Sequence, residues 1–269
     1  GDRLRVTHQL VETDLLGNEK RSSASADITE PLPGRLSAVT VDTTGHYLYA
    51  GTDSGWLLRW DVSEPGEARL LDSVLASAGH KGITSLALVL GDVSVAVGDA
   101  GGSLTTWFPV KVAGSGEDRR LKRIHTLRPT SGRVSFIIPS PRDKTLFSGG
   151  TENIHADHMT SERNLLTIKT AAPVIRAALS PKGNTLAALD GSGALTLWKM
   201  EIPHPEISFG TLFGKVWYEG YDKPEYAWQS SSASDDYEPK LSLVPLVFGT
   251  IKATLCAMLF AVPLALLAA

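Results

Sequence analysis

Apolar and polar residues alternate along four stretches of the chain, and each stretch repeats one order of events. An apolar strand is followed by a polar turn, a second strand ending in a small residue, another turn, and a third strand. The stretches are SAVTVDTTGHYLYAGTDSGWLLRWDV (37–62), SLALVLGDVSVAVGDAGGSLTTWFPV (85–110), SFIIPSPRDKTLFSGGTENIHADHMT (135–160) and RAALSPKGNTLAALDGSGALTLWKM (176–200). The period is two, as where Leu195 and Leu197 alternate with Thr196 and Trp198, which predicts β-strands. The turns are built from Gly, Ser, Asp and Pro, as in Ser180-Pro181-Lys182-Gly183. Three stretches close on a tryptophan, Trp60, Trp107 and Trp198, and His158 takes that place in the third, giving intervals of 47, 51 and 40 residues. A second marker nine residues earlier, at Gly51, Gly98, Gly149 and Leu189, keeps the same intervals. Small antiparallel sheets recurring at this period bury both faces only by stacking on one another. The expected fold is therefore all-β, a propeller with about four visible blades.

The pattern changes at the end of the chain. From Leu243 to Ala269 the sequence LVPLVFGTIKATLCAMLFAVPLALLAA contains one charge, Lys252. As a helix it would reach roughly 40 Å, enough to cross a bilayer with some tilt. Ser242 is placed to cap that helix, and Pro245 falls in its first turn, where a missing N–H costs little. Pro263 is expected to loosen the ladder near the middle, which suits a packed bundle. Lys252, some three turns in, is a candidate path residue or a side chain that snorkels to the interface.

The chain thus divides into residues 1–34, an N-terminal strand (Arg3 to Val11) with a polar linker around Asn18 to Asp27; the blades, 35–201; an aromatic and acidic connector, 202–240; and the apolar run, 241–269. Residues 111–123, KVAGSGEDRRLKR, read as a solvated loop between blades. The connector carries Phe209, Phe213, Trp217, Tyr218, Tyr221, Tyr226, Trp228 and Tyr237, a composition suited to a membrane interface. From Glu219 to Glu238 six acidic residues face one lysine, so the flank lacks cytoplasmic Lys/Arg enrichment and is expected to face outward. The first residue is Gly1 and the last lies in an apolar run, so further chain is expected on both sides. The missing blades are expected before Gly1; the alternative is a ring closed with four or five.

Composition narrows the function classes. With Lys252 set aside, 25 basic residues stand against 29 acidic ones, which argues against a nucleic-acid surface. The one cysteine, Cys256, lies in the apolar run, so the rest forms no disulfide. On a strand, His155 and Asp157 share a face and His158 points away, so the trio predicts a worn blade terminus and not a metal site. The run Gly98-Asp99-Ala100-Gly101-Gly102-Ser103 falls at a hairpin with no following helix, and is not expected to cradle phosphate. No nucleophile elbow, P-loop or zinc signature is present, so no enzyme activity and no cofactor are expected.

Two resemblances follow. The blades resemble degenerate WD40 repeats: Gly79-His80 precedes Trp107, Trp60-Asp61 is an intact Trp-Asp pair, and His80 is expected to make a blade hydrogen bond. The aspartate usual before the last strand is replaced by Ser54, Gly101 and Ser192. Separately, Gly249-Thr250 and Ala261-Val262-Pro263, with Val216-Trp217-Tyr218-Glu219-Gly220-Tyr221 and Tyr226-Ala227-Trp228 before them, resemble the start of the permease core of binding-protein-dependent ABC importers. The likeness covers residues 214–269 and is nearest to phosphate-specific (Pst-type, PstC-like) subunits with an enlarged periplasmic insert. It implies a phosphate importer of the bacterial inner membrane with residues 1–240 in the periplasm and the propeller as an interaction domain. The implied partners are a second permease subunit, cytoplasmic ATPase subunits and a periplasmic phosphate-binding protein. The alternative is a membrane-tethered propeller scaffold without a transport role.

Overall fold

A hairpin of β1 (Leu4–Thr13) and β2 (Glu19–Ile28) precedes the repeat in the computed structural model, which describes residues 4–112, 114, 118–233 and 237–269. The stretch expected as a polar linker is thus a strand, paired from Leu4 opposite Ile28 to Thr13 opposite Glu19. Arg3 lies outside the described residues. Four antiparallel sheets follow as four propeller blades. Blade 1 is β3 (Leu36–Val41), β4 (Tyr47–Thr52), β5 (Trp56–Asp61) and β6 (Arg69–Leu75). Blade 2 is β7 (Ile83–Leu88), β8 (Val95–Asp99), β9 (Leu104–Lys111) and β10 (Arg119–Thr126). Blade 3 is β11 (Phe136–Pro139), β12 (Thr145–Gly149), β13 (Asn153–His158) and β14 (Arg163–Lys169). Blade 4 has three strands, β15 (Val174–Leu179), β16 (Thr185–Asp190) and β17 (Leu195–Lys199).

The charged segment read as a loop overlaps β10, the outer strand of blade 2, from Arg119 to Arg123; residues 113 and 115–117 lie outside the described residues. Arginines and lysines on this strand point to water while Leu121 and His125 are buried, a common way to keep a sheet edge from pairing with another chain.

Apolar layers between consecutive sheets hold the blades together. Tyr49, Leu57, Ile83, Val97 and Trp107 join blades 1 and 2. Ala96, Leu104, Val134 and Leu146 join blades 2 and 3, and Phe147, Ile154, Leu186 and Ala188 join blades 3 and 4. The first blade's other face, with Leu48, Leu58 and Trp60, is covered by Ile28, Leu4 and Val6 of the hairpin.

The repeated glycine has a packing cause. A Cβ on Gly51 would stand 2.5 Å from Ile83 Cγ2, and one on Gly98 2.6 Å from Val134 Cγ1. A Cβ on Gly149 would meet the Phe136 ring. Gly51 and Gly98 therefore admit a side chain of the next blade. Blade 4 has Leu189 there, with Leu195 and Leu197 beside it 65% and 66% exposed. The inner strands touch in the order β3, β7, β11, β15, with no comparable contact from β15 back to β3.

Two alignments made from sequence shift. The hairpin of blade 3 is one residue shorter: Gly149 faces Ile154, whereas Gly98 faces Leu104. Asp157, not His158, therefore stands opposite Leu146, as Trp107 stands opposite Val95. The hairpin aspartate is also two residues earlier than expected. Asp99 Oδ1 accepts from the N–H groups of Gly101 and Ser103, and Asp190 Oδ1 from those of Ser192 and Ala194. In blade 1 Thr52 Oγ1 accepts from Trp56 N–H at 3.1 Å.

After Ile202 come α1 (Phe209–Phe213), the two-residue ladder of β18 (Trp228–Gln229) and β19 (Lys240–Leu241), and α2 (Val244–Ala268). The N-cap of α2 is Leu243, without a side-chain cap; the expected cap, Ser242, is buried with its hydroxyl unpartnered. Pro263 lies in the last turns of α2, beyond the middle. No residue of α2 is buried, and its 25 residues are long and apolar enough to cross a membrane.

Candidate functional site at the propeller–helix junction

The side chains singled out from sequence do not converge. Trp60 is buried under the N-terminal hairpin, Trp107 donates from Nε1 to Thr105 Oγ1 at 3.0 Å, and Trp198 is half-buried against blade 3. Asp61 accepts from Ser63 and Arg69, and the Ser63 hydroxyl bond chiefly holds its carboxyl below the usual range. His80 is exposed in a turn at φ 56°, and its ring makes no hydrogen bond among the described residues, so the expected blade bond is absent. On α2, Gly249, Thr250, Lys252, Ala261, Val262 and Pro263 are all exposed. The Thr250 hydroxyl donates to the Leu246 carbonyl at 2.9 Å.

The trio in β13 divides between two surroundings. Asn164 Nδ2 donates to Asp157 Oδ1 at 2.8 Å, and His155 Nδ1 lies 3.0 Å from Thr167 Oγ1. Burial pushes the Asp157 carboxyl up to about 6 and lowers the His155 ring's value. His158 instead faces the connector, with Nε2 4.0 Å from Glu238 Oε1. Among the described residues no group of three or more His, Cys, Asp or Glu side chains could hold a metal.

What the fold does assemble is the junction between blades and α2. Trp217 packs edge-on against Phe108 of β9 at 6.5 Å, and Lys122 Nζ lies 4.8 Å over its indole. Its Nε1 donates to the Tyr221 carbonyl at 2.8 Å, which closes the Trp217–Tyr221 turn. His125, buried on β10, contacts Glu162 Oε1 through Nδ1 and the Trp217 carbonyl through Nε2, both at 3.0 Å. The ring thus joins two blades and the connector.

A second clasp lies beside it. Lys144 and Glu219 pair at 2.5 Å with side chains 4% and 12% exposed, and Lys144 also donates to the Leu90 carbonyl. Glu238 projects into a cavity of about 240 Å³ lined by His158, Lys144, Tyr237 and Glu206. Burial, with the Glu219 charge nearby, pushes the Glu238 carboxyl up to about 7, and burial lowers His158 to about 4. Desolvation penalises both charged forms, so each is driven toward neutrality. Nearer the helix, Lys240 Nζ stands 5.7, 5.4 and 5.4 Å from the rings of Tyr218, Tyr221 and Tyr237. Ser242 N–H bonds the Ala227 carbonyl at 3.0 Å and Leu243 N–H the Leu212 carbonyl at 2.8 Å.

Lys144, Glu219, Glu238 and His125 were not found from sequence. The only signal was the density of aromatics from Trp217 to Tyr237, which marks packing without naming the ionic partners. No known protein family matches the chain, and no curated protein matches it.

Proposed function

We propose that this chain is the outward-facing propeller and first core helix of a Pst-type permease subunit in a phosphate-importing ABC transporter of the bacterial inner membrane. The observation that carries the reading is the junction. A blade assembly without a metal cluster among its described residues is fastened at several buried points to a connector that runs straight into an apolar helix. Such a fastening suits a module that must hold a fixed position relative to the bilayer. The permease-like residues Gly249, Thr250 and Ala261-Val262-Pro263 lie on that helix. The propeller serves as a docking surface for the periplasmic phosphate-binding protein or the partner permease subunit; the ATPase subunits act through other parts of the transporter. The chemistry supplied here is recognition, and no catalytic group is assigned.

The second reading is a membrane-tethered scaffold without a transport role, which an apolar helix fastened to the blades fits as well. Purification of the full protein from its own membrane in mild detergent separates the two. Recovery of a second permease subunit, an ATPase and a phosphate-binding protein is expected; recovery of none of them would favour the scaffold.

A further inference from the structure

The short helix α1 exposes two aromatic rings that none of the described residues covers. Phe209 is 80% exposed and Phe213 44%, one turn apart, with ring centroids 5.0 Å apart. The eight residues 207–214, ISFGTLFG, carry no charge. Folding holds this helix deliberately. Ser208 Oγ accepts from Thr211 N–H while Thr211 Oγ1 accepts from Ser208 N–H, and the buried Thr211 hydroxyl donates to the Glu206 carbonyl at 3.0 Å. The inner side is therefore anchored to the connector and the phenylalanines are turned out.

Position decides what they meet. The Leu212 carbonyl of α1 accepts from Leu243 N–H at 2.8 Å, and Leu243 is the N-cap of α2. The two phenylalanines thus sit within a turn of the point where the apolar helix begins. Trp228, 43% exposed, is paired opposite Leu241 at the same level. We infer that α1 is an interfacial anchor whose Phe209 and Phe213 seat in the boundary between lipid headgroups and acyl chains. Phenylalanine is one of the side chains that bury the apolar face of an interfacial helix at the headgroup–acyl boundary. An uncharged turn adds no cost of charge burial there. Together α1 and α2 would contact the bilayer at two points, fixing the rotation of the propeller about the helix axis as well as its height.

The inference rests on α2 spanning the membrane, and the test separates the two claims. The full chain is placed in nanodiscs of phosphatidylcholine and phosphatidylglycerol. 4-Fluorophenylalanine replaces Phe209 or Phe213, and a trifluoromethyl tag is attached to Cys256. Fluorine relaxation is then measured with a lipid nitroxide near the headgroup and with an aqueous gadolinium chelate. We expect the lipid nitroxide to enhance relaxation at positions 209 and 213 about fivefold or more over a tag on exposed Glu64→Cys. Cys256 should respond to lipid probes and not to the chelate. If Cys256 is in lipid while 209 and 213 respond only to the chelate, the anchor is overturned and the span stands. If Cys256 itself responds to the chelate, both fall.

Discussion

Glycine at positions 51 and 98 is required because Ile83 and Val134 of the following blade occupy the space a Cβ would need. Gly98→Ala is therefore expected to cost about 1–3 kcal/mol in denaturant unfolding. Leu189→Ala, at the equivalent point of the uncovered last blade, should change stability by less than about 1 kcal/mol. Equal effects would contradict this origin of the glycine marker. Glu238 gives a pH-dependent expectation. Its carboxyl rises from an ordinary 4.5 to about 7 on burial, so the folded chain favours the protonated form. That contribution is complete below pH 4.5 and is lost as pH rises through 7. Glu238→Gln should match the native chain near pH 4 and be more stable by about 2–3 kcal/mol at pH 8. His158 runs the other way, its neutral-form contribution being present above 6.5 and lost as pH falls toward 4, so it flattens the native profile. At this scale the periodicity of the glycines was legible, but its cause was not, because Ile83 and Val134 are distant in sequence. The misplacement of His158 in the Trp position came from one missing hairpin residue, which no local composition reveals.

Consecutive strands of each blade are joined as antiparallel neighbours, and the alternation of apolar residues was enough to find the first three of each. The outer strands β6, β10 and β14 and the hairpin strand β2 were not placed; β2 and β10 have the composition of edges, SSASAD in one and RRLKR in the other. Between elements the decisive contacts are ionic and buried. Arg59 on β5 pairs with Asp72 on β6 at 2.8 Å, the side chains being 6% and 2% exposed, and Asp72 also accepts from Leu121 N–H of blade 2 at 3.1 Å. Asp72→Ala should cost about 3–5 kcal/mol, since it leaves the buried Arg59 guanidinium without its carboxylate, with only the Arg119 carbonyl and the Tyr47 ring beside it. Thermal unfolding measures this, and a loss below 1 kcal/mol would show that the blade 1–blade 2 stitch lies elsewhere. The connector was recognised as aromatic, but not as a docked element. Lys144→Ala removes the cation that holds Glu219 and is expected to expose the 219–238 stretch to limited proteolysis while blades 1 and 4 stay intact. Unchanged cleavage would place the hold on the connector in Trp217 and His125 alone.

Four blades, a capping hairpin at one end and an apolar face at the other form a body fixed to one apolar helix through a clasp of His125, Lys144, Glu219 and Glu238. The blade architecture and the apolar helix could be read from the chain, because period and length are local properties. The junction could not, since it joins residues far apart in sequence, such as His125 and Trp217, 92 positions apart. The central proposal is that this body belongs to a phosphate importer. Proteoliposomes made with the complete transporter, loaded with ATP and given the phosphate-binding protein outside, test it most directly through uptake of radiolabelled phosphate. We expect uptake that needs ATP and disappears when this subunit is omitted; uptake that persists undiminished without it would contradict the proposal.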